Sequence, residues 1–267
     1  MFLEIVSTFF ISLGLQLASL LGVFLLFGFL LSHIQAFTHR MYVRSVGWKG
    51  ILWTAWMGTP IHELGHVFFA KIFRHTINEV YLFRPNPATG NLGHVDHSYR
   101  THSWYQRIGN FFIGAAPLIW GSAVLVAMLY FLLPNGREVF APLVRELAGG
   151  RDFFSSLGES LANLFSGENI RTWNFWVFLY VSFCVASHMA PSRADQSGMW
   201  RGLFWIVALL LILNLVAVAA RADITGYVLA LSRSLKFLVG IFAYALLISI
   251  LHFIMAAIVL SPWRRRL

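Results

Sequence analysis

Cysteine and charge are what this chain has least of. A single cysteine, Cys184, in 267 residues excludes a disulfide scaffold, because no bridge can form within the chain. Charged residues make up only 12 % of the sequence, about half the share usual in soluble proteins. That scarcity also excludes intrinsic disorder, which needs high charge and few apolar side chains. Gly and Pro, 21 and 8, are too few for a collagenous or low-complexity chain. What fills the space is apolar: 58 % hydrophobic residues, more than a soluble domain of this size can hide from water, so the chain requires a lipid solvent. The net charge of +9 does not indicate nucleic acid. The basic residues sit at the ends of apolar runs, as in the tail Arg264, Arg265 and Arg266, and face lipid headgroups there. No basic and aromatic alternation of the kind that binds nucleic acid is present.

Six apolar runs are long enough, or nearly so, for a helical crossing of about 20 residues. They cover about 6–31, 50–73, 108–133, 173–190, 202–220 and 238–260. The first lacks a basic leader and a small-residue cleavage site, and reads as a span. Between the second and third, Val80-Tyr81-Leu82-Phe83 reads as a strand and Arg84-Pro85-Asn86-Pro87-Ala88-Thr89-Gly90 as a turn, giving a β-hairpin region over about 78–97. Residues 135–172 read as a polar extramembrane loop with helical patches. The expected architecture is a single all-α polytopic domain of about six transmembrane helices with a short membrane-associated hairpin. Lys and Arg divide evenly between the two sides, so the positive-inside rule leaves the orientation open.

The second run carries His62-Glu63-Leu64-Gly65-His66. Residues four apart share a helix face, so both imidazoles can turn to one ion. Zinc suits two neutral histidine nitrogens, and a catalytic zinc takes a third protein ligand and keeps one position open. Glu63, beside the first histidine, is placed to act as general base on a water acidified by the metal. Three ionisable residues near a helix centre in lipid cost roughly 2.5–3.5 kcal/mol each on insertion scales, a sign of a cavity and a task. The third ligand must come from elsewhere. Asp195 leads, because Pro191 breaks the chain shortly before it and broken helices at membrane depth line cavities. Asp96, in the hairpin region, comes second, and Asp223 reads as a surface acid.

HELGH within an apolar run resembles the site-2 protease family of intramembrane zinc metalloproteases. Gly114-Ala115-Ala116-Pro117-Leu118 is similar to that family's Ala-Gly-Pro-like element, and the 78–97 segment to its β region. Ser187 stands eight residues before Asp195, as the family's Asn stands before its ligand Asp. The resemblance covers about 58–120 and 187–195. Ser187 replaces that Asn, Ala194 a Leu, Gln196 a Gly, and Trp120 an Asn of many members. It implies His62, His66 and Asp195 as zinc ligands, Glu63 as the catalytic base, and Ser187 or His188 as substrate-positioning residues, with capping of helix-end carbonyls the competing role for Ser187. It implies a membrane-protein substrate, cut in or beside a transmembrane segment, with its unwound chain pairing with the hairpin edge. The alternative is a non-proteolytic membrane binding or chaperone-like module that keeps the fold with structural zinc or none. A bacterial-type inner membrane is the expected location, and the oligomeric state is open.

The rest of the sequence reads more plainly. His94, Asp96, His97 and His102 match no closed zinc spacing and read as loop residues. Asn174, Asn214 and His252 read as interhelical hydrogen-bonders. Gly65, Gly109, Gly114, Ala115 and Ala116 read as points of close helix approach, and Cys184 as a packing residue.

Overall fold

The computed structural model describes residues 2–147, 152–220, 222–235 and 237–263. The arginine tail 264–266 lies outside them. The chain is helical almost throughout: α1 Phe2–Val46, a 3-10 turn at Trp48–Gly50, α2 Leu52–Ile72, β1 Thr76–Tyr81, β2 His94–Ser98, α3 Trp104–Gly114, α4 Ala116–Leu132, α5 Gly136–Leu147, α6 Phe153–Leu164, α7 Gly167–Ile170, α8 Trp173–Ala186, α9 Arg193–Ala220, α10 Ile224–Ser234 and α11 Phe237–Val259. The two strands pair antiparallel from Thr76↔Ser98 to Tyr81↔His94, with an irregularity between Ile77 and Glu79.

Among the described residues three helices are long and apolar enough to cross a bilayer: α1 over Phe9–Val46, α9 and α11. The bent pair α3–α4 supplies a fourth if it is one span. α8 is apolar but only 14 residues long. α2 has the length, 21 residues, yet carries the charged and imidazole side chains of the HELGH segment.

The structure corrects several boundaries. The third run is two helices that meet at Ala115 with a bend of 57°, because Pro117 occupies the first turn of α4, where its missing N–H costs nothing, while in a continuous helix it would break a rung. The first run does not stop at Leu31. α1 continues to Val46 as an amphipathic helix that buries Leu31, Thr38 and Tyr42 on one face. The helical patches expected in 135–172 are present and more extensive than a loop reading implies. The segment forms α5, α6 and α7, and Val139, Phe140, Leu143 and Leu164 enter the main core. The fifth run starts at Arg193, not Gly202, which moves Asp195 into a helix.

The core joins α1, α3, α4, α5, α8 and α11 through Phe24, Phe111, Leu125, Val139, Phe178 and Phe242. Phe24 meets Phe111 and Phe242 edge to face at 5.8 and 5.6 Å. Two polar contacts cross the bundle as expected for this class of side chain. Asn214 exchanges amide hydrogen bonds with Gln16 (2.7 and 3.1 Å), and Tyr42 Oη meets His252 Nε2 at 3.0 Å.

Candidate metal centre

Two features of the backbone prepare the site. In α2, His62 and His66 lie one turn apart, with ring centroids 4.9 Å from each other. At the α3–α4 break, the helical donor that would reach the Ile113 carbonyl is the N–H of residue 117, and residue 117 is a proline. The His66 ring takes that place: its Nδ1–H donates to Ile113 O at 2.8 Å. His62 does the same toward the chain after α8, donating from Nδ1 to His188 O at 2.6 Å. A carbonyl only accepts, so both Nδ1 atoms carry a proton, and in the neutral form of each ring Nε2 keeps a lone pair.

Those lone pairs converge. The Nε2 atoms are 3.2 Å apart. Asp195 adds two more acceptors, with Oδ1 3.2 Å from His66 Nε2 and Oδ2 3.5 Å from His62 Nε2. With both rings neutral, three acceptor groups stand at contact distance with no proton between them, an arrangement that a bound cation would satisfy. The group can hold a metal ion.

Asp195 is held from two sides. Ser192 and Asp195 form a reciprocal cap at the start of α9: Ser192 N donates to Asp195 Oδ2 at 2.7 Å, and Asp195 N to Ser192 Oγ at 3.3 Å. Glycines then let α9 press on α3. A Cβ at Gly114 would strike the Asp195 carbonyl oxygen and come within 2.6 Å of Met199 Cγ, and one at Gly202 would strike the Phe111 backbone. The Asp195 carboxylate and the Ile113 carbonyl that orients His66 are thus fixed by one helix contact. Gly65 serves α2 against α4 in the same way: a Cβ there would lie 3.0 Å from Trp120 Cβ.

His62, His66 and Asp195 open into a cavity of about 650 Å³ that Glu63 also lines. Glu63 is buried, at 6 % exposure. The connection between the strands covers it: a Cβ on Gly93 would lie 2.8 Å from Glu63 Cγ and 2.9 Å from Glu63 Oε1. Backbone can come this close only where there is no side chain.

The remaining expected site residues separate. His188 lines the cavity, but its ring is turned to Thr54 Oγ1 at 3.1 Å, and its carbonyl is what orients His62. Ser187 is buried and donates to the Cys184 carbonyl at 3.0 Å, the capping role. Asp96 lies away from the ligands on β2, accepting from Asn78 Nδ2 at 2.8 Å, and Asp223 caps α10 through Gly226 N. His94 and His97 reach the cavity from the hairpin. His75, absent from the expected cluster, holds His97 with Nδ1 atoms 3.0 Å apart, while its Nε2–H donates to Gln106 O at 2.9 Å. Burial pushes His97 down to about 4 and also lowers His75.

Sequence reasoning missed the contribution of α1. Gln35 Oε1 accepts from Ala190 N at 3.0 Å and so pins the segment that carries the His188 carbonyl. His39 lines the cavity with a buried Nε2 that has no hydrogen-bond partner among the described residues. The only signal for either was a polar side chain at helical spacing beyond the first apolar run.

Comparison of the chain with protein-family models, with curated proteins and with solved structures finds no match. The site's own geometry therefore carries the functional reading.

Proposed function

We propose that the protein is an intramembrane zinc metalloendopeptidase of the site-2 protease kind, acting on transmembrane or juxtamembrane segments of other membrane proteins. The carrying observation is that two imidazoles, each with its proton committed to a carbonyl, turn their lone pairs on one carboxylate in a cavity that also holds a buried Glu. Zinc fits the set. A tetrahedral ion with ligands at about 2.0–2.1 Å needs ligand atoms about 3.3 Å apart, against 3.2, 3.2 and 3.5 Å for these three pairs. Three protein ligands leave a fourth position for water or substrate. On this reading α1, α2, the α3–α4 pair, α8, α9 and α11 are the six crossings, and α2 is sheltered from lipid on its ligand face.

When bound, zinc supplies Lewis acidity, which makes water a nucleophile near neutral pH and polarises a carbonyl. The chain's residues do the rest. His62 and His66 are oriented by the His188 and Ile113 carbonyls, which raises their basicity as ligands. Glu63 takes the proton of the attacking water, holds it in a covered pocket, and returns it to the leaving amine. The hairpin offers exposed strand positions at Val80 and Tyr81 where an unwound substrate can pair.

The test uses the full chain in detergent, with fluorescent casein as an unfolded polypeptide probe and metal content read by elemental analysis. Wild type is expected to hold one zinc and release peptides. Glu63→Gln is expected to keep the zinc and lose about 10²–10⁴-fold in rate, the usual worth of a general base. Full activity in that variant, or no peptide release from zinc-loaded wild type, overturns the proposal and leaves the non-proteolytic module.

A further inference from the structure

A second polar cleft, of about 360 Å³, lies where α2 passes into the hairpin and the hairpin into α3. Arg74, Thr76, Ser98, Tyr99, Arg100 and Gln106 line it. Its two arginines are placed by one buried side chain. Gln106 accepts from Arg100 N at 2.6 Å through Oε1 and donates to Arg74 O at 2.6 Å through Nε2. Neither arginine has a carboxylate in salt-bridge reach among the described residues. Thr76 and Ser98 face each other at the end of the ladder, and the Ser98 hydroxyl is turned to Asn78.

Arg74 occupies a costly conformation. Its φ is 57°, and among the described residues it is the one non-glycine with positive φ. It sits just past the end of α2, where His75 N closes back on Ala70 O at 2.9 Å, the position that glycine fills in this helix-ending motif. An arginine there gives up local stability that glycine would keep, which directs attention to its side chain. The surroundings set the depth. Exposed Trp104 and Tyr105 open α3, Trp104 meets Trp205 at 5.0 Å, and the Arg107 guanidinium lies 4.0 Å over Trp205. Such a cluster of aromatic and basic side chains belongs at headgroup level, where phosphates are.

We propose that this cleft binds a phosphate ester, presented by an anionic phospholipid headgroup, between the guanidiniums of Arg74 and Arg100. Guanidinium forks match phosphate oxygens two at a time, and two forks on a locked backbone form a site where scattered surface charge does not. Holding a headgroup at the base of the hairpin would also fix the hairpin's depth over the metal cavity. The proposal does not rest on the protease reading, and its readout is lipid binding.

The experiment is native mass spectrometry of the full chain released from detergent with phosphatidylglycerol or phosphatidylcholine. Wild type is expected to retain phosphatidylglycerol at least about tenfold over phosphatidylcholine. Arg74→Asn with Arg100→Gln is expected to erase that preference; Asn tolerates the left-handed backbone, and Arg100→Gln alone serves if the pair does not fold. Lys71→Gln with Arg84→Gln removes equal charge outside the cleft and is expected to change retention less than about twofold. Inorganic phosphate separates the sources: failure of millimolar phosphate to displace the lipid supports the headgroup, and full displacement shifts the assignment to free phosphate. Equal losses in the two double variants, or unchanged retention in the cleft variants, overturn the site.

Discussion

One substitution, Asp195→Asn, separates a metal ligand from a structural cap, because the two roles give opposite signs. In the metal-free protein three acceptors crowd together: Nε2 to Nε2 at 3.2 Å, and carboxylate oxygens at 3.2 and 3.5 Å from them. An amide in place of the carboxylate brings an N–H₂ to the same point and can donate to His66 Nε2, while its oxygen still accepts from Ser192 N. One net hydrogen bond is worth about 0.5–1.5 kcal/mol, so at alkaline pH, where both rings are neutral and no imidazolium pairs with the carboxylate, the metal-free variant should melt at or above metal-free wild type. Metal binding should move the other way. Structural zinc is bound by roughly 10–16 kcal/mol over four ligands, or about 2.5–4 kcal/mol per ligand, which is roughly 10²–10³ in affinity. The assay is thermal unfolding of chelator-stripped protein with and without zinc, together with competition against a fluorescent chelator. If the variant melts lower without metal under those conditions and binds zinc as wild type does, Asp195 is only the cap of α9 and the three-ligand metal centre is wrong.

Other perturbations reach the site through backbone. Gly58→Ala should weaken metal binding from a distance: its Cβ would strike the Cys184 carbonyl and lie 2.6 Å from His188 Cδ2, pushing away the segment whose carbonyl orients His62. Overpacking of this kind costs about 1–3 kcal/mol, to be read as a lower melting temperature and weaker zinc affinity, and wild-type values of both would refute the packing argument. Gly93→Ala should act on catalysis more than on metal, because its Cβ meets Glu63 and Thr59 rather than a ligand; the expected result is loss of casein cleavage at unchanged zinc content. The His75–His97 contact predicts acid sensitivity of the hairpin. Burial lowers both histidines, His97 from 6.5 to about 4, so the attached hairpin binds protons less readily than the detached one. Its docking is therefore complete above about pH 6.5 and is lost as pH falls through about 4. Amide exchange of Val95 and His97 should quicken, relative to a core helix, between pH 7 and pH 4, and constant relative protection would refute it.

The local half of this site was legible because it is local. His62 and His66 share a face by helical spacing alone, and no tertiary knowledge is needed to place both on one side of α2. Asp195 needed more. Its chain break at Pro191 was visible, yet the helix start was misplaced by nine residues, because a scan for apolar runs answers where lipid is and not where helix is. Ser192-Arg193-Ala194-Asp195 held the missing signal, a capping pattern before an apolar run, and the structure uses that same pair of side chains to aim the ligand. The same confusion shortened α1, whose stretch beyond Leu31 buries one face and keeps a charged one.

The break at Ala115 shows what sequence spacing alone does not supply. Pro117 lay in plain view inside a run read as one span, and its consequence, an Ile113 carbonyl without its helical donor, acquires meaning only when α2 packs alongside and His66 donates to it. The candidate metal centre is thus assembled from irregularities. A proline frees one carbonyl, a helix end frees another, and a cap holds the carboxylate, each leaving a backbone or side-chain group that a regular helix would have consumed. A buried backbone group of this kind must find a partner within the protein. Here the partners are the two imidazoles and Ser192. A regular α3–α4 helix would satisfy its own carbonyl, leave His66 free to choose either ring nitrogen, and lose the fixed lone pair on which the three-way convergence depends.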